Sequence, residues 1–216
     1  MLRPFAFLLI IFLIAPPAQR AAPAWSKLFN NQNLNGWEVI GDGIWTVTSD
    51  GLLVGQRDLK TSKEQSWLYT RRNDFDEFDL RVEYWLRANG NSGLSVRDSS
   101  RARWSVAPNF DPKKTPSHVG YEIQLENGSG DPFKTGSIYS FDHARDNAKP
   151  NNWNRLELQV RHSGLKVLVN GQPVSQFAGD PSRSLTGPIG LQLHDRNTVI
   201  LFRSVEIHEI KGSAAR

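Results

Sequence analysis

Residues 120 to 126 read Gly-Tyr-Glu-Ile-Gln-Leu-Glu, in which apolar side chains alternate without a break with acidic or amide ones after the glycine. Side chains along a β-strand point alternately to opposite faces of the sheet. The apolar members of this stretch can therefore fill a core, while Glu122, Gln124 and Glu126 share the other face. Two carboxylates beside an amide on one surface are suited to proton transfer next to a polyhydroxylated ligand.

Short segments of the same character recur along the chain and are separated by turn residues. Typical turns are Ser49-Asp-Gly51, Asn89-Gly-Asn91 and Asn170-Gly171. No stretch of helical period and useful length follows residue 22. About twelve short strands, each with one apolar and one polar face, predict an all-β fold in which two antiparallel sheets form a sandwich.

The N-terminus has the pattern of a secretory signal peptide. Arg3 precedes an apolar run from Phe5 to Ala15, which is followed by two prolines and small residues. This run is shorter than the ~20 residues that a helix needs to cross a bilayer. We expect residues 1–22 to be removed and residues 23–216 to form one domain without a stable membrane span, periplasmic or secreted in a bacterium. The alternative is an uncleaved anchor.

The composition excludes cysteine chemistry and argues against one class of partner. The chain has no cysteine, which excludes disulfides, thiolate catalysis and lipid attachment through cysteine. Its net charge of +4 comes from 26 Lys and Arg residues scattered among 22 Asp and Glu residues, without a basic block. We therefore predict no nucleic-acid partner.

Three predicted strands have polar faces that are rich in groups able to bind or transfer protons. One carries Ser95 and Arg97, a second is the 120–126 stretch, and a third carries Gln192 and His194. If these strands are neighbours, an acid, a base, an amide and a guanidinium converge on one concave surface.

Several motifs, in their order along the chain, resemble those of the 3-keto-disaccharide hydrolase domain family. They include Leu28-Phe-Asn-Asn-Gln-Asn-Leu-Asn-Gly-Trp37, Gly90-Asn-Ser-Gly-Leu-Ser-Val-Arg97, Gly120-Tyr-Glu-Ile-Gln-Leu-Glu126, Thr135-Gly-Ser-Ile-Tyr139 and Gly187-Pro-Ile-Gly-Leu-Gln-Leu-His194. The resemblance covers nearly the whole chain after the leader. It implies a concanavalin A-like jelly roll of two curved antiparallel sheets, export from a bacterial cell, and a carbohydrate substrate whose C3 hydroxyl has been oxidised to a ketone.

The resemblance also implies a reaction. A ketone at C3 acidifies the hydrogen on C2, so a carboxylate can remove it while a cation or hydrogen-bond donor stabilises the enolate oxygen. The glycosidic oxygen on C1 then leaves by elimination, and water adds afterwards. The expected function is therefore cleavage of the glycosidic bond of 3-keto-glycosides or 3-keto-disaccharides, with net hydrolysis.

Three side chains are the candidates for this chemistry. We expect Glu122, in the middle of its strand, to be the general base. Arg97 keeps its charge at any relevant pH and is the candidate partner of the enolate oxygen. His194 can give or take a proton near neutrality and is the candidate acid. Six more residues are expected to bind the sugar: Gln124, Gln192, Trp104, Tyr139, Lys134 and Asn91. No cofactor and no metal ligand is predicted, with calcium left open.

The segment from Asp98 to His118 is too long for a simple hairpin connection, and long loops in compact domains are usually functional or disordered. It joins the strand that ends at Arg97 to the strand that contains Glu122. We therefore expect it to fold over the site, where Trp104 or Phe110 would stack on a sugar ring.

A rival enzyme reading starts from the same strand. Glu122-x-Gln124-x-Glu126 is similar to the Glu-x-Asp-x-Glu strand of jelly-roll endoglucanases related to laminarinase, in which the first Glu is the nucleophile and the last is the acid/base. Retention needs carboxyl groups about 5 to 5.5 Å apart. Four strand residues separate Cα atoms by ~13 Å, and Gln124 replaces the acidic central residue, which weakens this reading.

A second rival is a carbohydrate-binding module without catalysis, with or without calcium bound to oxygen-rich loops. Ca²⁺ takes six to eight oxygen ligands. The acidic residues on predicted loops form no compact ligand motif; they are Asp98, Asp111, Asp131, Asp142, Asp146 and Asp195.

Overall fold

The computed structural model of the protein describes residues 24–58, 65–128, 130–145 and 147–210. The expected signal peptide of residues 1–22 lies outside this part of the chain. Among the described residues, no helix has both the length and the apolar character that a membrane crossing requires.

Strands dominate the regular structure, as the sequence predicts. They are β1 (Ser26–Lys27), β2 (Trp37–Ile40), β3 (Ile44–Val47), β4 (Leu53–Gln56), β5 (Ser66–Thr70), β6 (Phe78–Leu86), β7 (Asn91–Val96), β8 (Tyr121–Glu126), β9 (Trp153–Arg161), β10 (Gly164–Val169), β11 (Gln172–Phe177), β12 (Ile189–Leu193) and β13 (Val199–Glu209). A 3₁₀ turn at Arg103–Ser105 and one helical turn, α1 (Pro116–Val119), lie between β7 and β8.

The strands form two antiparallel sheets, which confirms the predicted sandwich. The larger sheet has the order β11-β10-β9-β6-β13-β4-β3, with β1 paired to β13. The smaller sheet has the order β2-β5-β12-β7-β8. The three strands whose polar faces suggested a site are therefore neighbours, because β7 lies between β12 and β8.

The larger sheet shows the expected separation of faces. Buried and half-buried residues alternate along all nine positions of β6. Leu80 and Val82 are fully buried between the sheets, and burial of such a side chain stabilises the fold by roughly 1.5–3 kcal/mol. On the outer face, Arg81 pairs with Glu206 at 2.6 Å.

The smaller sheet differs, because both of its faces are covered. Every residue of β5, β7, β8 and β12 is buried. One face packs into the core between the sheets. The other face carries Trp67 and Tyr69, which form a separate apolar cluster with Ala102 of the β7–β8 segment. The segment therefore folds over this face, as expected from its length.

Asp98 fixes the start of this covering segment to the sheet. Its carboxylate is fully buried and accepts hydrogen bonds from the hydroxyl of Tyr69 and from the backbone N–H of Ala102, both at 2.7 Å. It also accepts hydrogen bonds from the backbone and hydroxyl of Ser100, at 2.9 and 2.6 Å. A buried carboxylate with this many donors is well compensated for its lost hydration.

An irregular segment covers the free edge of β8. Gln124 donates its backbone N–H to Ser137 and accepts one from Gly136, at 2.9 and 2.8 Å. Tyr139 donates its backbone N–H to the carbonyl of Glu122 at 2.9 Å. The backbone around Glu122 is therefore held from both sides.

Candidate active site

Glu122 lies on the covered face of the smaller sheet. It pairs with Ser95 of β7, and Ser95 pairs in turn with Gly190 of β12. The ring of Tyr69 occupies the space above Gly190, where an added Cβ would come within 2.7 Å of it. The hydroxyl of Tyr69 then reaches Ser95 at 3.0 Å. Glu122 lies beside this packing and is buried, with 5% of the residue exposed.

A second glycine makes room for the carboxylate itself. Gly93 lies next to Gln124 in the register, and a Cβ added to it would sit 3.0 Å from Oε1 of Glu122 and 3.1 Å from Oε1 of Gln192. The Gln192 side chain is fully buried, and neither of its amide atoms has a hydrogen-bond partner of good geometry. It nevertheless lies close enough to favour the ionised form of Glu122.

A cleft of 210 Å³ opens above this floor, between the sheet and the loops. Sheet residues and loop residues both line it: Gln65, Asn91, Phe110, Pro112, Thr115, Ser117, His118, Glu122, Gln124, Asp131, Tyr139 and His194.

Burial raises the pKa of Glu122 to about 7. The positive charge of His194 and the amide of Gln192 oppose this shift, whereas the negative charges of Asp131 and Asp98 add to it. A carboxyl group with a pKa near neutrality is present in both protonation states at physiological pH. It can therefore take a proton and later return it.

His194 follows β12 and enters the cleft from the sheet. Its backbone N–H donates to the carbonyl of Asn91 at 3.2 Å, and its Nδ1 lies 2.8 Å from a carboxylate oxygen of Asp195. Burial disfavours the charged imidazole, but the hydrogen bond and charge of Asp195, with the charges of Glu122 and Asp131, raise the pKa of His194 overall. Nε2 remains for a ligand.

The structure brings most of the expected site residues together. Glu122, His194, Gln124, Tyr139 and Asn91 line the same cleft. Gln192 lies buried beneath it beside Glu122. The Oδ1 atom of Asn91 is buried without a hydrogen-bond partner, so the cleft has polar groups that a ligand would satisfy.

Arg97 does not line this cleft, contrary to its expected place beside Glu122. The strand ends at Val96, and Arg97 has a φ of 60°, so the alternation that predicted its direction stops one residue earlier. Its side chain is buried and donates to the carbonyl of Arg161 at 3.2 Å. Burial lowers the pKa of Arg97 from its ordinary value.

Two expected sugar-binding residues also lie outside the cleft lining. Trp104 contacts the charged groups of Arg103 and Lys114, at 5.1 and 4.9 Å from its ring centroid. Lys134 donates from Nζ to the carbonyl of Gly128 at 2.6 Å. Both side chains serve local contacts within their loops.

Loops contribute residues that the sequence patterns did not identify. His118 has no ligand-like spacing in the sequence, yet it lines the cleft from α1. Asp131 accepts a hydrogen bond from Nε2 of Gln124 at 3.2 Å and one from the backbone of Phe133 at 2.7 Å. The length of the segment before β8 predicted that this segment covers the site, and His118 belongs to it. No sequence pattern distinguished Asp131 from the other acidic residues on loops.

Glu126 shares the face of Glu122 but does not line the cleft. Its carboxylate accepts a hydrogen bond from the backbone of Gly128, and burial raises its pKa. Glu122 and Glu126, the two carboxylates of the laminarinase-like pattern, therefore do not line one cleft together. Within the described parts of the chain, no three His, Cys, Asp or Glu side chains are grouped as a metal site.

Three larger depressions lie outside this cleft. One of 340 Å³ is on the outer face of the larger sheet, where its carboxylates, Glu83 and Glu206, are half-buried and paired with arginines. The other two lie on the outer side of β9, β10 and β11. One of 420 Å³ is lined by residues that include Arg161 and Lys166, and one of 380 Å³ includes Lys166, Asp142 and His143. None of the three is lined by a buried carboxylate. The smaller cleft at Glu122 combines such a group with an imidazole and is therefore the candidate active site.

Solved structures with the same architecture come from several bacterial proteins. One from Parabacteroides distasonis ATCC 8503, provisionally assigned as a glycosyl hydrolase, is 22% identical, with a TM-score of 0.66 over 87% of this chain and 94% of that chain. The carbohydrate-binding module CBM66 of Bacillus subtilis is 16% identical, with a TM-score of 0.50 over 79% and 94% of the two chains. A Bacillus subtilis protein with a galectin-like fold is 15% identical, with a TM-score of 0.56 over 86% and 94%.

These similarities establish the fold alone, and they confirm the predicted lectin-like jelly roll. No curated protein matches the sequence at a significant level. The model of one domain family does match, over residues 24–208. The matched range contains both sheets and every residue that lines the cleft. The chain therefore belongs to the family of 3-keto-alpha-glucoside-1,2-lyase-like domains.

Proposed function

We propose that the protein cleaves the glycosidic bond of 3-keto-glycosides, including 3-keto-disaccharides, by proton abstraction at C2, elimination and hydration. The observation that carries this proposal is a carboxylate buried at the floor of a cleft, with a pKa of about 7 and a histidine beside it. Membership of the lyase-like family supports the substrate class.

Glu122 is the general base. A base works best when its pKa lies near the working pH, because it is then both ionised and basic enough to take the proton. Its backbone is fixed by pairing to Ser95 on one side and to Tyr139 on the other. A carboxylate held in this way keeps the short, aligned approach to C2 that proton transfer needs.

His194 is the electrophilic partner of the C3 ketone. Arg97 was the sequence-based candidate for this role, but it does not line the cleft. His194 does, and its raised pKa favours the imidazolium. A cation that interacts with Glu122 is close to the place where charge develops, because the enolate forms on atoms adjacent to the proton that Glu122 removes.

Amide and hydroxyl groups of the cleft bind the sugar. Asn91 has a buried Oδ1 atom without a partner, and such an atom costs free energy until a ligand satisfies it. Gln124 and Tyr139 line the same cleft. These three side chains would contact the hydroxyl groups of the keto sugar and orient C2 toward Glu122, whereas Gln192, fully buried beneath the cleft, would act through Glu122.

A second candidate function is sugar binding without cleavage. The likeness to CBM66 favours it, since that protein is a carbohydrate-binding module with this fold. A binding module has no use for a buried carboxyl group with a pKa of about 7, which costs stability. The lyase reading is therefore preferred.

The experiment is incubation of the purified protein with 3-keto-sucrose and with a 3-keto-glucoside, with the unoxidised sugars and laminarin as controls. Release of the aglycone from the keto sugars alone supports the proposal. Release from laminarin would support a glucanase instead, and binding without release would support a binding module. Glu122→Gln is expected to abolish turnover, so retained activity would remove Glu122 from the role of base.

The route through C2 has its own readout. If Glu122 removes the C2 proton and later returns one, the product formed in D₂O carries deuterium at C2. A product without deuterium there would contradict elimination and point to direct displacement at C1.

We also propose that the protein works in the periplasm or outside the cell. The proposal rests on the charge and apolar pattern of residues 1–22, which is typical of a signal peptide. Cell fractionation and N-terminal sequencing of the mature protein test it. A chain that retains residue 1 and stays with the membrane would contradict it.

A further inference from the structure

His118 is the second imidazole of the cleft. It belongs to α1, the helical turn that directly precedes β8. Its Nδ1 lies 2.8 Å from the hydroxyl oxygen of Thr115 and 3.4 Å from that of Ser117. A hydroxyl group can donate to a neutral imidazole and accept from a charged one, so Thr115 can hold the ring in both protonation states. Nε2 is left for a ligand.

The two histidines enter the cleft from opposite ends of β8. His194 is held level with Asn91 by its backbone hydrogen bond, and Asn91 pairs with Glu126 at the end of β8. His118 precedes the first residue of β8, and Glu122 is the second residue of that strand. Along the strand direction, the backbone position of Glu122 therefore lies between those of the two histidines, whose side chains line the same cleft.

The substrate has the same order of reacting groups. C2, which loses its proton, lies between C3 with the keto oxygen and C1 with the glycosidic oxygen. A base at C2 therefore needs one proton donor toward C3 and another toward C1. His194, whose charge interacts with Glu122 and whose pKa is raised, suits the keto oxygen.

We propose that His118 is the catalytic acid that protonates the departing glycosidic oxygen. This assignment rests on the proposed lyase function. Glu122 takes the C2 proton, and the electron pair of that C–H bond forms the enolate across C2 and C3, with the negative charge on the C3 oxygen. As the C3 ketone re-forms, the electrons of the C2=C3 bond form the C1=C2 double bond and the C1–O bond breaks. The Nε2–H of His118 gives its proton to the departing oxygen.

The same residue serves the hydration step. Neutral His118 takes a proton from water as the water oxygen adds to C1. Glu122 returns its proton to C2, which restores both side chains. The net reaction consumes one water molecule and needs no oxidant, reductant or other co-reactant.

The test uses two substrates that differ in the leaving group. 4-Nitrophenyl 3-keto-α-glucoside releases a stable phenolate that needs no proton, whereas methyl 3-keto-α-glucoside releases methanol, which does. General acid catalysis contributes on the order of 10²-fold or more. In single-turnover release of the leaving group, which precedes hydration, His118→Gln is expected to lose about that factor in rate on the methyl substrate and less than about threefold on the nitrophenyl substrate.

His162→Gln is the matched control. His162 lies at the β9–β10 turn of the other sheet, where its Nε2 is 2.6 Å from Asp76. It is expected to leave both rates unchanged. Thr115→Val removes the hydroxyl that holds Nδ1 of His118, and a smaller loss confined to the methyl substrate is expected for it.

The outcomes separate the assignment from the function on which it rests. Equal losses of His118→Gln on both substrates, or no loss on either, would overturn the role of His118 while leaving an active lyase. A wild-type protein that cleaves neither keto substrate would overturn the proposed function and the assignment with it. A melting temperature equal to that of the wild type shows that a selective loss is chemical.

Discussion

An added Cβ atom at Gly93 would lie 3.0 Å from Oε1 of Glu122. The carboxylate of the candidate base therefore occupies space that only a glycine leaves free on the neighbouring strand. Gly93→Ala is expected to push the carboxylate aside by a few tenths of an ångström or more. Misplacement of a catalytic group by about 1 Å can cost on the order of 10²-fold, so we expect kcat/KM to fall by about tenfold or more.

The stability of Gly93→Ala should change little, because the atoms that the new methyl group meets are the ends of the Glu122 and Gln192 side chains. Gly130→Ala is the matched control, since nothing lies within 4 Å of a Cβ added there. Steady-state kinetics with a 3-keto-glucoside and thermal unfolding of both variants check the prediction. Unchanged kcat/KM in Gly93→Ala would contradict it.

The strand alternation predicted the fold because it is a local property of the chain. Ile123 and Leu125 face the core as their positions in the sequence require. The same alternation placed Glu122 on the opposite face, but it could not show that this face is buried. That burial comes from a segment of more than twenty residues before β8, whose path depends on contacts such as Tyr69 with Asp98.

The strand residues of the candidate site were predictable from the alternation, whereas only some of its loop residues, such as Tyr139 and Phe110, were anticipated. Gln124 and His194 follow from strand positions. Arg97 was placed wrongly, because its positive φ ends the alternation one residue after the strand. His118 and Asp131 reach the cleft through loop conformations, which have no periodic sequence pattern to reveal them.

With a 4-nitrophenyl 3-keto-glucoside, whose leaving group needs no proton from His118, the rate of cleavage should depend on pH through two groups. Glu122 must be ionised, so kcat/KM should rise as the pH passes through about 7. His194 must be protonated, so kcat/KM should fall again at higher pH, above the ordinary 6.5 of histidine because the pKa of His194 is raised. Because Glu122 and His194 interact, the two apparent pKa values of this bell-shaped pH profile belong to the pair and not to either residue alone.

Asp195→Asn tests which limb belongs to His194. It removes the negative charge and weakens the hydrogen bond that raise the pKa of this histidine, because the amide oxygen of asparagine still accepts from Nδ1. The falling limb should therefore move to lower pH, while the rising limb shifts less. Measurements of kcat/KM from about pH 5 to about pH 9 check this. If the falling limb stays at the same pH in Asp195→Asn, that limb does not report the ionisation of His194.

The same burial of Glu122 should cost stability in a pH-dependent way. Its pKa is about 7 in the folded protein against an ordinary 4.5, so the folded state binds more protons than the unfolded state between these values. The free energy of unfolding is therefore highest below the unfolded-state pKa of 4.5. It decreases as the pH rises through the folded-state pKa of about 7. The loss is on the order of 3 kcal/mol.

Glu122→Gln removes this loss, because the amide does not ionise. The variant should therefore be more stable than the wild type at about pH 8, by up to that amount, and close to it at about pH 4. Chemical denaturation at the two pH values measures the difference. An advantage of equal size at both would contradict the assigned titration.

Asp98 should stabilise the cover of the cleft. Asp98→Asn keeps the size of the side chain, but an amide cannot accept from all four donors contributed by Tyr69, Ala102 and Ser100. A buried donor left without an acceptor costs about 1–3 kcal/mol. The melting temperature should fall, and hydrogen exchange should increase first in residues 98–118. Uniform exchange across both sheets would argue against a local role.

Arg97 should matter for the fold and not for the chemistry. Its guanidinium is buried, its hydrogen bond goes to the carbonyl of Arg161, and its Nε has no hydrogen-bond partner. Arg97→Met keeps the aliphatic bulk and removes a buried charge whose hydration is lost. We expect kcat/KM on a 3-keto-glucoside to stay within about threefold of the wild type, since a partner of the enolate oxygen is worth on the order of 10²-fold or more. A loss of that size at an unchanged melting temperature would show that Arg97 takes part in catalysis. Its side chain would then have to move toward Glu122 when the substrate binds.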